Sequence, residues 1–316
     1  MTTHLNLTGT SYHDTDVTSL VESNIISFFD WGFTDCGGYT NVSINISGGY
    51  GDFTRLRHVN DYNFSSGKVW EGIRGNWVWE SGLAYGTPIK ISGIYINNAY
   101  TTSGYQIDYP NGRVIFNNAI STSSVVKVNH SYKEVQFLSC RDNPLFKQVQ
   151  YKSRKPDETG FLISSGNYTG YSTNKINLPN VSVEVISRGD SPYQLGGGKY
   201  SNYAVKFHIL GESDFEVKRI SDLLVNQEEK TIFAYDLDRM ALANAFPLNF
   251  NGTLASGAKC YPDLVSHSGV GGYRTTLIDQ GKIRFHDCKS QTGKWIHQNL
   301  YMTTVDMSAQ VILPPR

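Results

Sequence analysis

Hydrophobic and polar positions along this chain follow two different periods. Near the start, Val17, Leu20, Val21, Ile25, Phe28 and Phe29 recur at three- and four-residue steps, the spacing of a single helix face. Asp14 or Thr15 stands where an N-cap belongs, and DCGGYTN, with its paired glycines, breaks the pattern. SINISGGYGDF reads as a short strand entering a glycine-rich loop, while residues 50–75 follow neither period.

From Asn76 the period shortens to two. PIKISGIYIN (88–97) alternates Ile89 and Ile91 with Lys90 and Ser92, which predicts a strand with a bulge at Gly93. IDYPNGRVIF (107–116) predicts a hairpin: Pro110 fixes φ, Asn111 tolerates the next position and Gly112 takes φ > 0. VVKVNHSYKEVQF (125–137) supplies one more long strand, closing an antiparallel meander near residue 138.

Beyond CRDNPLFK, the segments VSVEVISR (181–188) and YAVKFHIL (203–210) alternate cleanly around the loop GDSPYQLGGGKYSN. GESDFEVKRISDLLVNQ follows, with Ser213 and Glu216 at capping-box spacing and a stripe of Phe215, Ile220, Leu223 and Leu224. TIFAY (231–235) and VDMSAQVIL (305–313) add strands. The pattern predicts a β-rich α+β chain in two domains. Residues 1–138 carry an N-terminal helix and β-meander, and residues 139–316 an antiparallel sheet with a packed helix.

Composition agrees with the β reading: 316 residues include 20 Tyr, 15 Phe and 30 Gly, with 18% charged. Lys plus Arg and Asp plus Glu are 28 each, so no net field recruits nucleic acid, and no sequence-specific nucleic-acid partner is expected. No apolar run approaches a membrane span and the start lacks a leader pattern, so a soluble product without a membrane partner is expected. Eight N-x-S/T triplets, at Asn6, Asn41, Asn45, Asn63, Asn129, Asn167, Asn180 and Asn251, follow from the abundance of Asn, Ser and Thr rather than from secretion.

Candidate chemistry is sparse. GxGxxG after a strand, GxxxxGK[ST], HExxH and GxSxG are all absent. Cys36, Cys140, Cys260 and Cys288 form no CxxC pair, and free thiols are expected. His286 and Cys288 share strand parity and would need His267 or Asp279 to hold a metal; no cofactor or metal is assigned.

The densest feature is VWEGIRGNWVWESG (69–82), with Trp70, Trp77 and Trp79 among only five tryptophans. Three readings are open: core packing between the first helix and the meander, a protein interface centred on the indoles and Arg74, or a carbohydrate platform. Glu71 and Glu80 flank the cluster as a carboxylate pair of the kind glycoside hydrolysis uses. If residues 76–80 form a strand, Trp77 and Trp79 share one face and Glu80 points from the other. Tyr193, Leu195 and Tyr200, in the glycine-rich loop, are candidates for an assembly arm that orders against a neighbour.

Several stretches carry a family resemblance: SNIISFFDWGF (23–33), VWEGIRGNWVWESG, IDYPNGRVIF, and SPYQLGGGKY (191–200) followed by TIFAYDLDR (231–239). They resemble virion structural proteins of tailed bacteriophages, including those of marine cyanophages, through most of the chain. The strand, helix and strands of the C-terminal part are similar to tail-terminator and tail-completion proteins, although the N-terminal helix and meander are not part of a minimal terminator. The resemblance implies a non-enzymatic neck or tail component in the virion, assembled in the bacterial host cytoplasm. Its implied partners are copies of itself in a ring and other virion proteins such as portal, connector, tail tube and sheath. It brings no catalytic or metal residues. A receptor- or glycan-binding baseplate or fibre module is the alternative, and a glycan-cleaving enzyme stands behind it.

Overall fold

The computed structural model describes residues 16–44, 52–143, 177–193, 198–243, 245–249, 251–255, 260–266, 274, 278, 281–291, 293–297 and 300–313. Asp14, Thr15, Leu195, His267 and Asp279 lie outside them, as does most of SINISGGYGDF. The chain is β-rich α+β, as its periodicity predicts.

Helix α1 (Val17–Asp35) buries the predicted face, with Asp16 as N-cap accepting from the Thr18 N–H at 2.9 Å. Its end is a Schellman arrangement: Gly38 N–H donates to the Phe33 carbonyl and Gly37 N–H to that of Thr34. Gly37 takes φ +87°, which glycine adopts without strain.

The N-terminal sheet has seven short antiparallel strands in the order β5-β4-β8-β2-β3-β7-β6. They are β2 (Arg55–Val59), β3 (Val69–Glu71), β4 (Ile94–Ile96), β5 (Ala99–Thr101), β6 (Tyr105–Asp108), β7 (Arg113–Phe116) and β8 (Val126–Val128). The hairpin β6–β7 turns as predicted, with Gly112 at φ +63°. Residues 88–97 contribute only Ile94–Ile96 to the ladder, less than their alternation suggests.

The expected long strand over 125–137 is instead three. After β8, β9 (His130–Lys133) pairs with β1 (Tyr39–Val42), and β10 (Gln136–Ser139) joins the C-terminal sheet. Hydrogen bonds to distant segments divide it: Asn129 Oδ1 accepts from Ile44 N–H at 2.8 Å, and Gln136 N–H donates to the Pro179 carbonyl at 3.1 Å. β8 keeps the alternation, with Val126 and Val128 buried, whereas β9 buries His130, Ser131 and Lys133 on both of its faces, each piece against a different partner.

The C-terminal sheet runs β10-β11-β12-β16-β14-β13, with β15 (Lys294–His297) on β16. Its long strands are β11 (Asn180–Pro192), β12 (Lys199–Gly211), β14 (Lys282–Ser290) and β16 (Leu300–Leu313); β13 (Thr231–Phe233) closes one edge. All its pairs are antiparallel except β10–β11, which is parallel. Helix α2 (Asp214–Val225) is capped by Ser213, whose Oγ accepts from Glu216 N–H at 3.2 Å. Glu216 reaches back to Glu212 N–H rather than to that of Ser213. Short helices α3 (Leu237–Leu242) and α4 (Tyr261–Ser266) follow.

Two corrections concern packing. Helix α1, expected on the meander, enters the core of the C-terminal sheet, where Phe29 meets Phe137, Phe207 and Phe285. Asn24 fixes it there, its amide donating to the Tyr235 carbonyl and accepting from the Tyr235 N–H, both at 2.9 Å. The structural grouping therefore joins the N-terminal helix to residues beyond 138. In α2, Val217, Ile220 and Leu224 are buried, but Phe215 and Leu223 of the predicted stripe face outward, Phe215 with 76% exposure.

Candidate interaction surfaces

The tryptophan cluster is core rather than surface. Trp70, on β3, is 2% exposed and donates Nε1–H to the Gly67 carbonyl; Trp77 is fully buried and donates to the Arg74 carbonyl at 2.9 Å. Both belong to the meander's own core, with Val114, Phe116, Val126 and Val128, and not to a seam with α1. Trp79 is half-buried. The indole N–H groups of Trp70 and Trp77 each have a backbone partner, as is usual for buried Trp.

Strand parity for residues 76–80 does not hold. Trp77 makes a single bridge to Tyr132, and Asn76 has φ +53°, so no regular strand forms. Glu80 is consequently buried on the same side as Trp79: the Lys133 ammonium bonds Glu80 and Asp30 and lies 5.7 Å from the Trp79 ring centroid. Burial pulls the Lys133 pKa down, but the two carboxylates outweigh it and hold the ammonium charged. Burial raises the Glu80 pKa against the pull of Lys133. Glu71 is engaged separately, 3.1 Å from the Arg113 guanidinium. Each flanking carboxylate is thus held by a cation.

Arg74 is a clasp. Its Nη1 donates to the Leu178 carbonyl at 2.6 Å and Nη2 to that of Glu134 at 3.3 Å, while the guanidinium covers Tyr132 at 5.1 Å. It ties the meander to the chain entering β11 instead of centring an interface between indoles.

His286 and Cys288 do not share a face. Asp287 has φ +53° and the β14–β16 register shifts there, which turns Cys288 into the core while His286 stays half-buried beside Asp287. The further candidate ligands His267 and Asp279 lie outside the described residues.

Tyr193 and Tyr200 do come together. Their rings meet edge to face at 4.8 Å between centroids, with Tyr193 40% exposed at the end of the β11–β12 hairpin. Behind this tip, β10 pairs with β11 only over Asn180–Val183, so among the described residues no strand covers β11 from Ile186 to Pro192. Ile186 is an exposed bulge, and Arg188 and Asp190 pair at 2.8 Å. Leu195, the third arm candidate, lies outside the described residues.

A second surface was not legible in the sequence. A cleft of about 960 Å³ opens between the second half of α1, the outward face of α2 and the meander, lined by Trp31, Phe33, Arg74, Tyr132, Phe215 and Leu223. The amphipathic period of α2 hid it, because Phe215 and Leu223 fit a buried stripe. Compared with models of known protein families, with curated proteins and with solved structures, the chain matches none. No helix among the described residues is long and apolar enough to cross a membrane.

Proposed function

We propose that the chain is a non-enzymatic structural protein of a tailed-bacteriophage virion, a ring-forming connector or tail-terminator-like component of the neck or tail. The observation that carries the reading is the outer edge of β11. A stretch of β11 from Ile186 to Pro192 that has β12 on one side and, among the described residues, no strand on the other, ending at an exposed Tyr193–Tyr200 pair, is the kind of edge to which a neighbour's strand adds. A ring requires two different surfaces on each copy; the α1–α2 cleft, where Phe215 and Leu223 stand among charged residues such as Glu212, Glu216 and Arg219, provides a second one. The balance of 28 basic and 28 acidic residues lowers the repulsion between many identical copies.

The alternative of a glycan platform loses the exposed indoles on which it rested, since Trp70 and Trp77 are buried.

Sedimentation velocity of the purified chain, alone and with tail extract, tests the proposal. A closed oligomer is expected, and the double variant Tyr193→Ser, Tyr200→Ser is expected to weaken it while keeping the far-ultraviolet circular dichroism unchanged. A chain that stays monomeric at high concentration in both conditions is not a ring component.

A further inference from the structure

The face of the C-terminal sheet turned away from α1 and α2 is polar, and at its β10 edge three side chains of different chemistry converge. Cys140 follows β10 and extends its parallel ladder, donating its N–H to the Val183 carbonyl at 2.9 Å, which sets it beside Glu184. On the other side of β11, Ser182 faces His208 of β12, so His208 sits one diagonal step from Glu184. The ligand atoms of Cys140, Glu184 and His208 all lie within 4.8 Å of one another, and His208 Nε2 is 3.0 Å from Glu184 Oε2.

The geometry points to a three-ligand site for a divalent cation of the zinc class, formed by the Cys140 sulfur, the Glu184 carboxylate and the His208 imidazole, with its remaining position open to solvent. This ligand set is one that Zn²⁺ takes, and three protein ligands with an open position is the arrangement of reactive rather than closed structural sites. Ligand atoms around tetrahedral zinc stand roughly 3.3–3.7 Å apart, given bond lengths of about 2.0–2.3 Å. A spread within 4.8 Å closes by small side-chain rotations, without strand movement. The three ligands come from three adjacent strands, and β12 is itself pinned between β11 and β16 over its whole length, so the backbone under the site is rigid.

A surface His–Glu pair beside an inert buried thiol is the simpler account, but it leaves the local charge unexplained. The Cys140 sulfur is buried and lies within 4.8 Å of the Glu184 carboxylate, so the strands set a negative charge beside a buried thiol. Arg141 lies 3.6 Å from Glu22, but Lys206, directly opposite Glu184 in the ladder, lies 3.4 Å from Asp306 instead. A divalent cation offsets the Glu184 charge and bonds all three groups at once. On binding, the Cys140 thiol releases its proton to solvent and its sulfur lone pair bonds the metal, so one proton leaves per cation taken up.

The probe is Co²⁺, titrated into the purified full chain and followed by absorption. One equivalent is expected to produce a thiolate-to-cobalt charge-transfer band and the intense visible bands of four-coordinate cobalt, both removed by added Zn²⁺. Cys140→Ser should abolish the charge-transfer band, His208→Gln and Glu184→Gln should each weaken affinity at least tenfold, and Cys36→Ser, at the exposed cysteine, should change nothing. Absence of the band in the wild-type chain, or its persistence in Cys140→Ser, overturns the site. Should Cys140→Ser fail to fold, the other two variants decide: unchanged cobalt affinity in both overturns it equally.

Discussion

His130 shows how far one buried side chain can set the response of this molecule to acid. Its ring lies 4.5 Å from that of Trp77 and its Nδ1 is 3.2 Å from the Val128 carbonyl. Burial pushes its pKa down to about 4, the carbonyl opposing only in part. In the unfolded chain a histidine titrates near 6.5. Between those values the unfolded state binds a proton that the folded state refuses, so the stability His130 preserves at neutral pH is lost as pH falls through about 6.5 toward 4. From pH 7 to pH 5 the expected loss is about 2 kcal/mol. Glu80 and Asp108, whose pKa values burial raises, work in the opposite direction, so the contribution is read as a difference. Urea unfolding of wild type and His130→Gln at both pH values should show a smaller pH dependence in the variant, whatever its stability at pH 7. Equal dependence would remove His130 as the source.

Among the elements, those encoded by neighbours in sequence were legible and those encoded across the chain were not. The face of α1, the Ser213 cap of α2 and the turn at Pro110–Gly112 all depend on contacts within a few residues, and all were readable. The parallel β10–β11 pair, the partition of 125–137 among three sheets, and the burial of Trp77 depend on partners tens of residues away, about which a period of two says nothing. The same limit hid Cys140, Glu184 and His208, which share a site only through strand register. Glycine separates the two kinds of information well. Gly104 (φ +85°) has open space where a Cβ would go, but at Gly112 (φ +63°) a Cβ would come within 2.7 Å of Gly75 Cα and 2.8 Å of the Arg74 carbonyl oxygen. Alanine at either position bears the left-handed backbone cost of about 1–2 kcal/mol; Gly112→Ala should cost clearly more, because backbone must shift beneath Trp77. Matched unfolding curves for Gly104→Ala and Gly112→Ala check this, and equal losses would refute the close-packing account.

For the molecule as a whole, the decisive contact is that of α1 with the C-terminal sheet. Val17, Leu20, Val21, Ile25, Phe28 and Phe29 are all buried there, and at about 1.5–3 kcal/mol for each large apolar side chain their burial is on the order of 10 kcal/mol. That matches the entire net stability of a typical domain. A division at residue 138, natural from the sequence pattern, cuts through this core. The fragment 139–316 is therefore expected to lack a cooperative thermal transition and to bind a hydrophobic dye, whereas the full chain unfolds sharply. A fragment that melts cooperatively near the full-length temperature would show that the sheet closes its core without the helix. Asn24 and Tyr235, whose reciprocal hydrogen bonds seat the helix, are separated by 211 residues. At about 5–20 residues per second of synthesis, roughly 10–40 seconds pass between the emergence of α1 and that of its anchor. Phe137 and Phe207, which pack on Phe29, are made within that interval, but Phe285 follows later still, so the helix waits on only part of its partners until the C-terminal strands are synthesised.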